Sequence, residues 1–199
     1  MGELGVGLHV HCGASLGLAI MLAHLVTPAP RHETEFLAAV VRSRRLHGGW
    51  VTAPGSSAEY RLYLKERRGP RQVKYFVCSP TGELCGVFNL SEIVRGSFQS
   101  AYMGYYALAP HAGKGFMSAG LELVLERAFG ELALHRVEAN IQPKNRRSIE
   151  LVQRAGFRLE GLSPRYLKIG GRWRDHERWA MTLEDRQLAE RKKTRNASR

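Results

Sequence analysis

The sequence predicts a mixed α+β domain, one central sheet with helices packed on it. Short β-rich runs alternate with amphipathic stretches along the 199 residues, with no internal repeat and no low-complexity linker to divide the chain. Two of these runs, in KYFVCSPTGELCGVFNLSEI, flank Pro80–Gly82 and read as a hairpin. Twice a β run passes through a short turn straight into an apolar stripe of helical period, once after Pro110 and once after Pro143.

The elements follow in order. Ile20 to Val26 is an apolar run that reads as a strand. In TPAPRHETEFLAAVVRSR, Pro30 stands near a helix start and Phe36, Leu37, Val40 and Val41 recur at helical spacing. GGWVTAPGSS is a loop, and Ser56 to Arg67 reads as a second helix with Tyr60, Tyr63 and Leu64 on one face. After the hairpin, SAYMGYYALAP is a third strand, halted by Pro110. Met117, Leu121, Val124, Leu125 and Ala128 form the stripe of the next helix. HRVEANI is a strand, and NRRSIELVQRAGF a helix running from Asn145 to Gly156, a residue suited to a left-handed C-terminal position. RLEG and RWRDHERWAMTL close the sheet.

Composition narrows the class. Hydrophobic residues make up 44% and charged residues 24%, an ordinary globular balance that supports a core without disulfides or metals. Cys12, Cys78 and Cys85 are odd in number and contain no CxxC pair, which points to reduced thiols in a cytoplasmic setting. The net charge of +12 favours anionic partners such as nucleic acid, a ribosome or a polyphosphorylated cofactor. Part of it sits in Arg186 to Arg199, six basic residues against Glu190, read as a solvated basic tail. LGLAIMLAHLV is interrupted by His24 and is far shorter than the ~20 residues of a membrane span. No membrane association is expected. HVHC, His9 to Cys12, has no second cluster at a zinc-like spacing, so no metal is expected. The glycine-rich residues 1–18 read as an N-terminal extension, 19–185 as the domain and 186–199 as the tail.

The chemistry concentrates in HAGKGFMSAGLELVLERAFG, His111 to Gly130. A helix N-terminus carries unpaired amides and about half a positive charge. Gly113 and Gly115 let an anion approach the backbone, and Lys114 adds charge at the mouth. The run lacks both the GxxxxGK[ST] spacing and the third glycine of a dinucleotide fingerprint. By itself it is equally a plain turn with a solvated lysine.

Its neighbours carry more. YALAPHAGKGFMSAGLELVLERAFGELALHRVEANIQPKNRRSIELVQRAGFRLEG and YLKIGGRWRDHERWAMT resemble the ribosomal-protein-alanine N-acetyltransferase branch of the GNAT superfamily, strongly over Tyr102 to Leu183. The likeness extends faintly back to VTPAPRHETEFLAAVVRSR. It implies the GNAT fold: a single mixed, mostly antiparallel sheet, splayed at an acetyl-CoA cleft, with helices on both faces. It implies an enzyme that binds acetyl-CoA and passes the acetyl group directly to a primary amine, here a protein N-terminus. The alternatives left open are a small-molecule amine acceptor, or an inactive acyl-CoA or RNA-binding protein. Weak RNA or ribosome association through the basic surface, and a monomer or homodimer, complete the expected partners.

Residue by residue, the resemblance gives a CoA loop of Ala112, Gly113, Lys114, Gly115, Phe116, Met117 and Ser118, in which Ala112 lacks the family's long polar side chain. The strand before it, including Tyr106, Ala107 and Leu108, would splay from Arg136–Ile141 and offer backbone groups to the pantetheine arm. Ordinary core packing accounts for that strand equally well. Asn145 is a helix N-cap and, by resemblance, also faces CoA. Ser148 is a CoA contact or the acid that protonates the leaving thiolate; the tyrosine many relatives carry a turn further on is Val152 here. A general base is required because an ammonium has no lone pair. Glu138 is the leading candidate, against a structural pairing with Arg136 or Arg178, and Glu160 and His176 are weaker ones. Trp50 either lines the acceptor groove or packs in the core.

Overall fold

The computed structural model describes residues 21–65 and 68–197. The extension expected at 1–18, and His9–Cys12 with it, lies outside those residues. Eight strands form one sheet: β1 (His24–Val26), β2 (Arg68–Gly69), β3 (Gln72–Cys78), β4 (Leu84–Val94), β5 (Ser100–Ala107), β6 (Arg136–Ile141), β7 (Arg158–Ile169) and β8 (Arg172–Thr182). Their order is β1-β3-β4-β5-β6-β8-β7, with β2 pairing only β3, and every pair is antiparallel except β5–β6. Past β1, the described residues also form α1 (Glu33–Arg42), α2 (Arg44–His47), α3 (Ser57–Lys65), α4 (Phe116–Glu126), α5 (Arg146–Ala155) and α6 (Leu183–Ala197). A 3₁₀ turn at Pro30–His32 precedes α1, and a π turn at Arg127–Glu131 ends α4.

Each face of the sheet has its own core. Leu121, Val124 and Leu125 of α4, with Ile149 and Val152 of α5, cover Val77, Phe88, Met103, Val137, Ala139 and Met181. Helix α4 approaches closely because Gly120 has no side chain; a Cβ there would lie 2.5 Å from Val77 Cγ2. On the other face Phe36 and Val40 of α1 and Tyr60 and Tyr63 of α3 pack on Phe76, Val87, Tyr106 and Leu108. The α1 stripe runs through Phe36, Ala39 and Val40, whereas Val41 turns out to solvent. Its projection is about 140° from Phe36 at 100° per residue, outside the buried arc.

The parallel β5–β6 ladder holds for only three pairs, Ser100–Arg136, Ala101–Val137 and Tyr102–Glu138. Beyond them the strands part, as β5 continues to Ala107 paired only with β4. This is the splay that the likeness implied.

Three boundaries differ from the sequence reading. Met21 and Leu22 are helical, and the first strand is confined to His24–Val26. The RLEG strand extends to Ile169 and forms a long hairpin with β8 over Gly170–Gly171, both at positive φ. Pro164 and a register shift between Ser163 and Leu167 disguise it, features tolerated on an edge strand. The segment read as a solvated tail is helix α6, and its first turn is docked. Arg186 is buried and donates to Glu122 Oε2 at 2.7 Å, with Glu190 2.9 Å from its Nε.

Candidate active site

Two helix N-termini meet the open end of the β5–β6 gap. Gly115, at φ 88°, is the N-cap of α4, and the first helical bond runs from Ala119 N–H to its carbonyl. The amides of Phe116, Met117 and Ser118 therefore have no carbonyl in the preceding turn. Gly113, at φ 81°, turns the loop so that its backbone faces the same opening. At α5, Asn145 Oδ1 accepts from Ser148 N–H at 3.4 Å, and Gly156 closes the helix in the left-handed conformation.

Between these termini lies a cavity of about 860 Å³, in the upper range for ligand pockets. Tyr106, Ala107, Ala112, Gly113, Gly115, Met117, Ser118, Asn145 and Ser148 line it, and so does Trp50. Of the other residues expected there, Leu108 is packed in the α1–α3 core, Lys114 is exposed beside the loop, and Phe116 stacks edge-on with His111. Tyr105, which the likeness did not single out, spans the gap: its hydroxyl donates to the Ser148 carbonyl at 2.9 Å. Burial holds that hydroxyl well above the usual tyrosine range, so it stays protonated.

Several lining residues escaped the sequence reading. Arg45, Lys144, Arg146, Arg147 and Arg154 surround the opening, with Glu150 the acidic side chain among them. Arg146 and Arg147 occupy the first turn of α5, where no acid is present. Cations at a helix N-terminus oppose its dipole by roughly 0.3–1 kcal/mol each. That misplaced pair was a legible sign of an anion to be held. His47 also lines the cavity; its Nε2–H donates to the Ala107 carbonyl at 2.9 Å and its ring stands edge-on to Tyr106. One turn earlier Ser43 Oγ accepts from Ala109 N–H at 2.8 Å and donates to the Ala39 carbonyl. Both residues continue the buried line of Phe36 and Val40, polar groups at apolar positions.

Ala107 belongs to the exposed edge of β5. Leu108 N–H bonds the Cys85 carbonyl of β4, so by antiparallel alternation the backbone of Tyr105 and Ala107 points to the gap. Pairing with β6 has already ended there, and although the Ala107 carbonyl is taken by His47, the rest of this edge lies outside any strand ladder and could take another extended chain.

The candidate bases stand on the sheet face opposite α4 and α5, outside the cavity lining. Glu138 Oε1 accepts from Arg136 Nε at 2.9 Å, and its Oε2 is 3.9 Å from Arg178. Arg136 and Arg158 together drag the Glu160 carboxyl down to about 2, which makes it a poor proton acceptor near neutrality. His176 is buried, its pKa lowered by that burial, and its Nδ1–H is committed to the Arg174 carbonyl. Val152 is wholly buried in the α5 core. The thiols of Cys78 and Cys85 are buried and pushed up to about 12 and 11, unsuited to nucleophilic attack. Among the described residues no group of three or more His, Cys, Asp or Glu side chains could hold a metal, and no helix is long and apolar enough to cross a membrane.

Known proteins resemble this chain in sequence and in fold. The chain is 42% identical over 103 residues to a [ribosomal protein uS5]-alanine N-acetyltransferase of Escherichia coli, and 41% identical over 102 residues to the probable N-acetyltransferase YjcK of Bacillus subtilis. These alignments take in 52% and 51% of this chain and 53% and 56% of the relatives, so the match spans about half of their length. A solved structure of Mycobacterium smegmatis RimJ in complex with CoA-disulfide superposes with a TM-score of 0.78 at 26% identity, over 89% of this chain and 90% of that one. Residues 24–158, which carry both helix N-termini and the gap between them, match the family described as the acetyltransferase (GNAT) domain, and the chain belongs to that family.

Proposed function

We propose that this protein is an acetyl-CoA-dependent N-acetyltransferase that acts on a primary amine, most concordantly the α-amine of a protein N-terminus. The observation that carries the reading is the cavity itself: the first α4 amides, a β5 edge no longer paired with β6 and a set of cations open onto one space. The residues fit the ligand in kind. The Gly113–Ser118 backbone suits a pyrophosphate, the Tyr105 and Ala107 backbone an amide-bearing arm, and Arg146, Arg147 and Arg154 further phosphate charge. Asn145 serves as both cap and cavity wall. Ala112 adds no side-chain donor, so the loop holds by backbone.

The thioester supplies an activated acetyl group when bound. The incoming neutral amine forms the C–N bond as the C–S bond breaks; the proton it sheds passes to the base, and the departing sulfur takes one from an acid that is re-protonated through solvent. Ser148 Oγ is the donor to that sulfur in this scheme, supported by its position in the cavity wall one turn into α5. Glu138 is the base, acting through water. What supports it is its place on the strand just where β6 leaves β5; its pairing with Arg136 is the competing structural role. Direct transfer is favoured because Cys78 and Cys85, the thiols among the described residues, are buried and do not line the cavity.

A small-amine acceptor is the second reading. A spermidine N(1)-acetyltransferase of Vibrio cholerae is 25% identical over 150 residues, covering 86% of that protein. Thiol release from acetyl-CoA, measured with alanine-starting peptides, spermidine and free amino acids, tests both. Preference for the peptide supports the first reading, preference for spermidine the second, and no turnover with tight CoA binding overturns the enzyme. Glu138→Gln should cut peptide turnover at least about 100-fold with CoA affinity unchanged.

A further inference from the structure

Three buried polar atoms among the described residues lack a hydrogen-bond partner: Tyr106 OH, Asn140 Oδ1 and Arg178 Nε. Register places all three on one face of the sheet. Tyr102 pairs with Glu138, so Tyr106 and Asn140, an even number of residues further on, share the face of Glu138. Asn140 is directly opposite Arg178 across the β6–β8 ladder. The three straddle the gap just beyond its last β5–β6 pair, on the side away from α4 and α5. Gln142 Nε2, two residues after Asn140, reaches the Gly49 carbonyl at 3.4 Å, so the loop carrying Trp50 borders the same ground.

An unpartnered buried polar atom is costly, and three on one sheet face beside the β5–β6 gap, one of them on a residue that lines the cavity, mark ground built for a polar guest. Their chemistry is specific. Asn140 Oδ1 accepts, whereas Tyr106 OH and Arg178 Nε–H donate. The Tyr106 hydroxyl is kept protonated by its burial. Arg178 already turns its Nη2 toward Glu138, which leaves Nε as the free prong of its fork.

We infer that Asn140, Arg178 and Tyr106 are the acceptor-recognising residues, and that they select an amine with an adjacent carbonyl, the N-terminal residue of a peptide. The inference rests on the acetyltransferase reading. Asn140 Oδ1 receives an N–H of the amine, while Arg178 Nε–H and Tyr106 OH donate to the carbonyl oxygens that follow along the chain. A polyamine has N–H groups to satisfy Asn140 and no oxygen for the two donors.

The test sets an alanine-starting peptide against isopropylamine and spermidine, in wild type and in Tyr106→Phe, Arg178→Lys and Asn140→Ala. Peptide affinity for the protein–CoA complex is measured in parallel by calorimetry, and CoA affinity serves as the folding control. Measured against any change in the KM of the two small amines, Arg178→Lys should raise the peptide KM and calorimetric Kd about 10-fold or more, and Tyr106→Phe about 3- to 10-fold. Asn140→Ala should weaken all three acceptors. Tyr106→Phe removes one oxygen and nothing else, so it reports even if Asn140→Ala fails to fold. Wild-type turnover of peptide with unchanged KM and Kd in the first two variants overturns this inference alone. A wild type that prefers spermidine overturns the peptide class. A wild type that turns over no amine overturns the acetyltransferase reading beneath it.

Discussion

At Gly115 a single residue meets two demands, a positive φ of 88° and close approach of an anion to the α4 amides. Gly115→Asp separates them. Aspartate enters the left-handed region at a cost of roughly 1–2 kcal/mol, and its Cβ would stand 3.3 Å from the flexible end of Leu22. The fold should survive, while a carboxylate against the pyrophosphate should weaken CoA binding at least about 100-fold by calorimetry. Unchanged affinity would remove the loop from the site. The glycine turn and the Asn145 cap were legible because each is a local device whose residue types and spacing announce it. Ser43 and His47 were not: their partners, Ala109 and Ala107, are 66 and 60 residues away, and only their place on the buried line of α1 hinted at a role. Glu138 was legible as a strand carboxylate with arginines at hand, but one sequence gives no measure of whether ion pairing or proton transfer fixes it there.

Among elements, α6 shows how composition misleads. Its basic residues suggested a solvated segment, yet Arg186 reaches a partly buried Glu122 on α4 and is itself braced by Glu190 one turn on. Truncation after Asp185 would leave Glu122 without its partner, and removing one side of a buried pair costs up to about 3–5 kcal/mol. Chemical denaturation should show that loss, whereas truncation after Arg191, which keeps the Arg186 contacts, should unfold within about 0.5 kcal/mol of wild type. Equal stability of the two truncations would make the docked turn ornamental. The β7 extension was hidden for a related reason: an edge strand with most of its side chains in solvent shows little apolar alternation.

Across the whole molecule the charge of +12 and the cavity's cations act in the same direction. Arg45, Lys144, Arg146, Arg147 and Arg154 come from two separate segments, gathered at one opening by the fold. A polyanion approaching them gains from a field that salt screens within about 8–10 Å at physiological strength. CoA affinity should therefore fall severalfold between about 0.05 and 0.5 M salt, and neutralising Arg146 and Arg147 together should flatten that dependence. A salt-independent affinity would assign these cations to some other anion.

The three-pair ladder between β5 and β6 also divides the sheet mechanically. Five strands on one side and three on the other share a short seam at one end, and the remainder of the boundary is open. Such a joint behaves as a hinge whose leaves are free to breathe at the open end. An extended guest lying along the β5 edge would act as a splint, so occupancy should slow amide exchange in β6 and the end of β5 more than anywhere else in the sheet.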